Sequence, residues 1–180
     1  MNKSDQINEI LGIQESYQLP DKLMKILKDK SQRGAIFRNF KDTFGDIPAD
    51  FFTDYFQESH SNRDKFMQDF TPLEVSEIIA KQIEGSEVVA DICAGIGGLS
   101  IPIIKRYPNV ELYCEELSAR AIPLLLFNLS YYNASAIVVH GNSLSQETQA
   151  VYKLTPTGEY SNIEEIEQIP EVQADVVVMN

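Results

Sequence analysis

Apolar residues change their spacing about a third of the way along the chain. Before residue 60 they recur at a helical period: Leu23, Ile26 and Leu27 share a face with Lys30, and Pro20 and Asp21 suit the start of that helix. A further segment, 48–57, carries Phe51, Phe52, Tyr55 and Phe56 at i, i+1, i+4 and i+5, a stripe that predicts a packed core face. The polar run 58–64 (ESHSNRD) then separates a helical N-terminal region, 1–62, from a second part, 63–180.

From Thr71 onward, helices alternate with short β-branched strands. A helix is expected over 72–83, with Thr71 as N-cap, Pro72 at its first position and Glu74 at its third. Strands are expected at 87–92 (EVVADI), 110–114, 136–140 (AIVVH) and 174–179 (ADVVVM), with helices at 99–106 and 119–132. Such a rhythm predicts an α/β fold, a parallel sheet covered on both faces. Between the third and fourth strands, 151–154 and 159–163 flank TPTG and read as a hairpin insertion.

Composition narrows the class. With 180 residues, 43% hydrophobic and 23% charged, the chain is neither disordered nor fibrous and suits one domain with a helical appendage. No apolar run reaches the ~20 residues of a membrane span, and the N-terminus, MNKSDQINEI, lacks the apolar core of a signal peptide. Both point to the cytoplasm. Cys93 and Cys114 have no metal-ligand spacing and read as small packed residues, and His60 and His140 as structural ones. The net charge of −12 opposes nucleic-acid binding. The basic stretch 22–41 (KLMKILKDKSQRGAIFRNFK) reads as a solvated helix face, so any grip on DNA must come mostly from parts outside this chain.

The chemistry concentrates in 90–100, ADICAGIGGLS. A strand ends at Asp91–Ile92, and Gly95, Gly97 and Gly98 let the backbone turn tightly where ligands of open α/β sheets sit. A dinucleotide fold would place its third glycine at Ser100, and Asp91 would repel a pyrophosphate; both speak against a nicotinamide-dependent dehydrogenase. A carboxylate there suits instead the ammonium of an amino acid, such as the methionine part of S-adenosylmethionine. After the second strand, Glu116, with Glu115 as the alternative, is placed to accept the ribose hydroxyls of an adenosine, and after the third Asn142 is placed to meet its adenine.

In order, DFTP (69–72), ADICAGIGGLS, EEL, GNSL and VVVMN resemble the motifs of N6-adenine DNA methyltransferases, most of all the modification subunits of type I restriction–modification systems and their phage and plasmid relatives. The resemblance covers roughly two thirds of the chain, from about Arg63 onward. It implies a Rossmann-like, S-adenosylmethionine-dependent methyltransferase fold with sheet order 3-2-1-4-5-7-6, of which this chain holds the half sheet 3-2-1-4. It also implies that Phe70, Thr71 and Pro72 line the methionine end of the cofactor, that Asp91, Ala94, Gly95 and Gly97 form its loop, and that Glu116 holds the ribose. Asn142 stands where the family usually has Asp, and an amide oxygen can still accept from the adenine amine. Met67 and Asp69 replace a glycine and an aromatic residue of the first motif.

Asn180 matches the first residue of the Asn-Pro-Pro-aromatic motif that holds the target amine while the base is flipped out. The sequence stops there, so the resemblance implies a truncated catalytic domain that binds cofactor without methylating. It also implies a fourth strand at an open edge, through which two copies would pair, and DNA or a specificity subunit as further partners. Alternatives are a methyltransferase acting on a protein glutamine or on RNA, whose motif is shared, and a non-catalytic cofactor-binding or partner-docking module.

Overall fold

A computed structural model of the chain describes residues 3–47, 51–53, 55 and 71–179. Phe56, the polar run 58–64, Phe70 and Asn180 lie outside the described residues. Among the described residues six strands form one sheet: β1 (Val88–Ile92), β2 (Glu111–Glu116), β3 (Ser135–Asn142), β4 (Glu147–Pro156), β5 (Ser161–Ile166) and β6 (Val176–Met179), in the order β5-β4-β3-β2-β1-β6. β1, β2, β3 and β6 run parallel, so the expected half sheet 3-2-1-4 is present as β3-β2-β1-β6. The hairpin is present too, and it extends the sheet antiparallel beyond β3 rather than standing apart from it.

β4 begins earlier than the TPTG motif suggests because Gly141 permits it. The pairing of β3 with β4 shifts register between His140 and Gly141, and a Cβ at position 141 would lie 2.4 Å from the Glu147 carbonyl oxygen. Only a residue without a side chain lets the two backbones come that close.

The helices are α1 (Lys3–Leu11), α2 (Leu19–Lys28), α3 (Lys30–Phe44), α4 (Leu73–Gln82), α5 (Ser100–Arg106) and α6 (Ile122–Tyr131). Pro72, not Thr71, is the N-cap of α4, and its carbonyl accepts from the amides of Val75 and Ser76. None of these helices is long and apolar enough to cross a membrane. α4, α5 and α6 contribute to one core against β1–β3, whereas the opposite face of the sheet carries a smaller cluster of Ile137, Val139 and Val151, packed by Tyr113, Ile166 and Val172. Helical cover on both faces is thus not found among the described residues. Right-handed crossovers from β1 to β2 and from β2 to β3 put α5 and α6 on the same side.

α6 (IPLLLFNLSY) is apolar around its circumference, and Ile122 through Ser130 are all buried. Such a helix needs cover on both sides. The sheet supplies one and the N-terminal helices the other. α2 lies against α6, and Phe127 of α6 meets Phe37 at 5.2 Å, Phe40 at 4.8 Å and Phe52 at 5.4 Å between ring centroids. Phe51, Phe52 and Tyr55 are buried, as their stripe predicts. Asp29 caps α3 by accepting from the Ser31 amide at 2.8 Å. The basic stretch is only partly a solvated face: Arg33 is buried, donating to the Leu27 carbonyl at 2.7 Å and to Asn162 at 2.8 Å, and Lys28 pairs with Glu165 at 2.8 Å.

Gly141→Ala should lower stability by more than about 2 kcal/mol, because the new methyl meets backbone that can move only by breaking the β3–β4 ladder. Gly12→Ala, at a positive φ of 65° but with open space around it, should cost only about 1 kcal/mol. Urea unfolding of both variants checks the ranking, and equal losses would show that the close approach at 141 is relaxed without cost.

Candidate functional site

The parallel strands end together, and their carboxyl ends carry the candidate residues. The chain leaves β1 at Ile92 and turns through Cys93–Leu99 into α5. Three residues of this turn have positive φ: Cys93 at 67°, Gly95 at 57° and Gly97 at 99°. Gly97 also packs under α6, where a Cβ would come 3.3 Å from Leu125. Cys93 is the one non-glycine among them, and its thiol is exposed, whereas that of Cys114 is buried.

Glu116 fixes the turn. Its carboxylate accepts from the Gly95 amide at 2.8 Å and from the Ser118 amide at 2.6 Å, bridging the loop after β1 to the loop after β2. The neighbouring Ala94 amide donates to the Glu115 carbonyl at 2.9 Å, so the glycine turn is tied to β2 twice. Alternation along β2 separates the two acids. Glu116 is buried on the face of Leu112 and Cys114, while the Glu115 side chain is half-buried on the face of Tyr113, whose hydroxyl donates to it at 2.9 Å.

Asp91 lies beneath the loop, fully buried. One of its oxygens accepts from the Ser100 hydroxyl at 2.5 Å, and that hydroxyl lies 3.5 Å from the Cys114 sulfur. The other oxygen has no hydrogen-bond partner among the described residues. Burial pushes the Asp91 carboxyl up to about 7, against the downward pull of the Ser100 hydrogen bond and with a smaller upward push from the charge of Glu116. Ser100, noticed in the sequence only because it is not glycine, is therefore the partner that holds the acid.

The structure brings Asp91, Ala94, Gly95, Gly97 and Glu116 together. Thr71 and Pro72 lead into α4, which packs against α5, the helix that follows the glycine turn. Asn142 ends β3, where its side-chain oxygen accepts from the amides of Leu144 at 3.0 Å and Ser145 at 3.3 Å. It lines a cavity of about 210 Å³ shared with Tyr113 and Glu115. Asn128 belongs with these residues although no motif contains it, and one amide in an apolar helix is a readable signal. Its side chain donates to the Ile96 carbonyl at 2.8 Å, inside the core, and ties α6 to the glycine turn. His140 sits on β3 opposite Glu116 in the ladder, with its Nε2 buried and unpartnered among the described residues.

These groups fit an amino-acid nucleoside such as S-adenosylmethionine. Asp91 keeps a buried acceptor oxygen with no donor, and a buried acceptor of this kind favours a cationic donor. Glu116 spends two hydrogen bonds on backbone amides and, as a carboxylate with about four lone-pair sites, retains acceptors for a diol. Among the described residues no group of three His, Cys, Asp or Glu could hold a metal ion.

Residues 74–155 match the family model described as the methyltransferase small domain. No curated protein matches the chain. The matched segment runs from α4 into β4 and includes the glycine turn, Asp91, Glu116 and Asn142. It supports a methyltransferase, and with the six-stranded sheet and its helices it gives the chain the Rossmann-like fold of S-adenosylmethionine-dependent methyltransferases.

Asp91 should also make stability depend on pH. Its folded pKa of about 7 lies above the ordinary value of about 4 in the unfolded chain. The stability this group contributes is therefore complete below about pH 4 and is lost as pH rises through about 7. Asp91→Asn removes that slope, so the stability of the variant relative to the parent chain should rise between about pH 4 and 7. Denaturant unfolding across that range tests it; parallel curves would mean that Asp91 takes up no proton on folding.

Proposed function

We propose that the chain forms the cofactor side of an S-adenosylmethionine-dependent methyltransferase that modifies the N6 amine of adenine in DNA, as part of a restriction–modification system. The observation that carries the cofactor half is the Glu116 carboxylate gripping the Gly95 amide at the carboxyl ends of β1 and β2, with Asp91 buried beneath. When bound, S-adenosylmethionine supplies an electrophilic methyl on a sulfonium centre. The residues of this chain then bind and orient: Glu116 accepts the ribose hydroxyls, Asp91 favours the ammonium end, and the turn held by Glu116 and Asn128 fixes the backbone against the ligand. Because methyl transfer is largely positioning, a rigid turn is the chief contribution expected from this half.

The acceptor half rests on sequence order and on one register. Met179, the last residue of β6, pairs with Ile92, the last of β1, so β6 ends level with the start of the glycine turn. This supports Asn180, the next residue in the sequence, as the group that holds the target amine. Contact with DNA is proposed to come from regions or a specificity subunit outside these 180 residues, since the chain carries a net charge of −12. That same charge favours a second reading, in which the acceptor is a glutamine of a protein rather than a polyanion, DNA or RNA alike.

Calorimetric titration with S-adenosylmethionine should show one saturable site. Glu116→Ala should weaken it on the order of 100-fold, since charge-assisted hydrogen bonds are worth about 1.5–3 kcal/mol each. Glu115→Ala, on the other face of the sheet, should change it by no more than a few-fold. Equal losses in the two variants would remove Glu116 from the ribose role, and no binding by the folded parent chain would sink the cofactor reading. Incubation of the chain, and of a version extended beyond Asn180, with labelled cofactor and adenine-containing DNA, RNA or glutamine-bearing protein then separates the acceptors.

A further inference from the structure

A cavity of about 450 Å³ opens between α3, the carboxyl end of α6 and the turn that joins β4 to β5, within the ~300–1,000 Å³ usual for small-molecule sites. Its walls are rings. Phe37 and Tyr160 lie 4.9 Å apart, and Tyr131 meets Tyr132 edge to face at 5.8 Å. Gly34 admits one of them, since a Cβ in its place would come 2.6 Å from the Tyr160 hydroxyl. Two cations stand at the rim, Arg38 and Lys41, one turn apart on α3, both exposed and neither in an ion pair among the described residues. The Tyr132 hydroxyl is buried with no hydrogen-bond partner among the described residues. Of the two acids at the cavity, Asp46 is met by Lys105 at 3.3 Å and Glu159 is exposed on the turn.

We propose that this cavity is a second ligand site, for a nucleoside phosphate whose base lies among the tyrosines and whose phosphate meets Arg38 and Lys41. Aromatic walls take a planar ring of any identity, and a guanidinium and an ammonium together take a phosphate. In a chain of net charge −12, two cations outside any ion pair among the described residues, beside four rings, are not the average surface. The site is also separate from the glycine turn. Tyr131 and Tyr132 lead into the amino end of β3, whereas the glycine turn follows the carboxyl end of the parallel β1, so the two lie at opposite ends of the sheet. The nucleotide has two possible sources, a free mononucleotide or one unit of a nucleic-acid strand, and the chemistry of the pocket is the same for both.

The full chain is titrated with 5′-AMP, with adenosine and with a short oligo(dA), each in excess S-adenosylhomocysteine to fill the glycine-turn site. One saturable AMP site is expected, with adenosine at least about 10-fold weaker for want of the phosphate. The double variant R38Q/K41Q, at exposed positions and with its thermal midpoint checked, should weaken AMP at least about 10-fold. Glu159→Gln should tighten it by removing a like charge from an exposed turn. Oligo(dA) binding that exceeds that of AMP and falls in the double variant assigns the strand as the source; equal or weaker binding assigns the free nucleotide. The proposal is overturned if AMP shows no saturable binding, if S-adenosylhomocysteine abolishes it, or if neither R38Q/K41Q nor Glu159→Gln alters it.

Discussion

The fold turns on a helix with no polar side. α6 buries every residue from Ile122 to Ser130, and no sheet can cover a helix on more than one flank. The second flank has to be found elsewhere, and the N-terminal helices provide it through Phe37, Phe40 and Phe52 around Phe127. One hydrophobic cluster therefore reaches from Ile7 in α1 to Ile163 in β5. Burying a large aliphatic or aromatic side chain contributes about 1.5–3 kcal/mol, so separating the helices from α6 would expose several such contributions at once.

The candidate site follows from strand geometry as much as from residue type. The Glu115–Glu116 pair offers two carboxylates one residue apart, and the two-residue period of β2 sends them to opposite faces. Only Glu116 can reach the Gly95 amide. Asp91 and Cys114, paired across β1 and β2 in the ladder, share the same buried face, and Ser100 closes over both. The turn is thus held from below by a buried acid and from the side by a second one, with its strained non-glycine residue, Cys93, on the exposed side.

Much of this is legible in the sequence. Short β-branched runs separated by helices of about one crossover each predict the parallel strands, and the glycine turn after Asp91 marks the ligand end, because both signals are local. What is not legible depends on distant partners. Arg33 sits in a run of cations, yet it is buried, donating to the nearby Leu27 carbonyl and to Asn162 of a hairpin far along the chain. The start of β4 is hidden because Gly-Asn-Ser reads as a loop, while in three dimensions Gly141 lets the Glu147 backbone come too close for a Cβ. Asn142 is recognised as a polar residue in the right loop, but its oxygen is engaged by the amides of Leu144 and Ser145, which spacing alone does not reveal. The aromatic stripe, by contrast, is buried where described, since a helical face of rings has few other stable uses.

The hydrogen bond from Asn128 to the Ile96 carbonyl joins two regions through the buried core. Its donor sits in the helix clasped by the N-terminal bundle, and its acceptor sits in the ligand turn. Opening of the bundle would uncover α6 and so weaken one support of the turn, which couples the two regions through a single polar contact. A ligand that stiffens the turn would then favour the closed bundle, and a partner that pried those helices away would weaken the hold on the ligand from a distance.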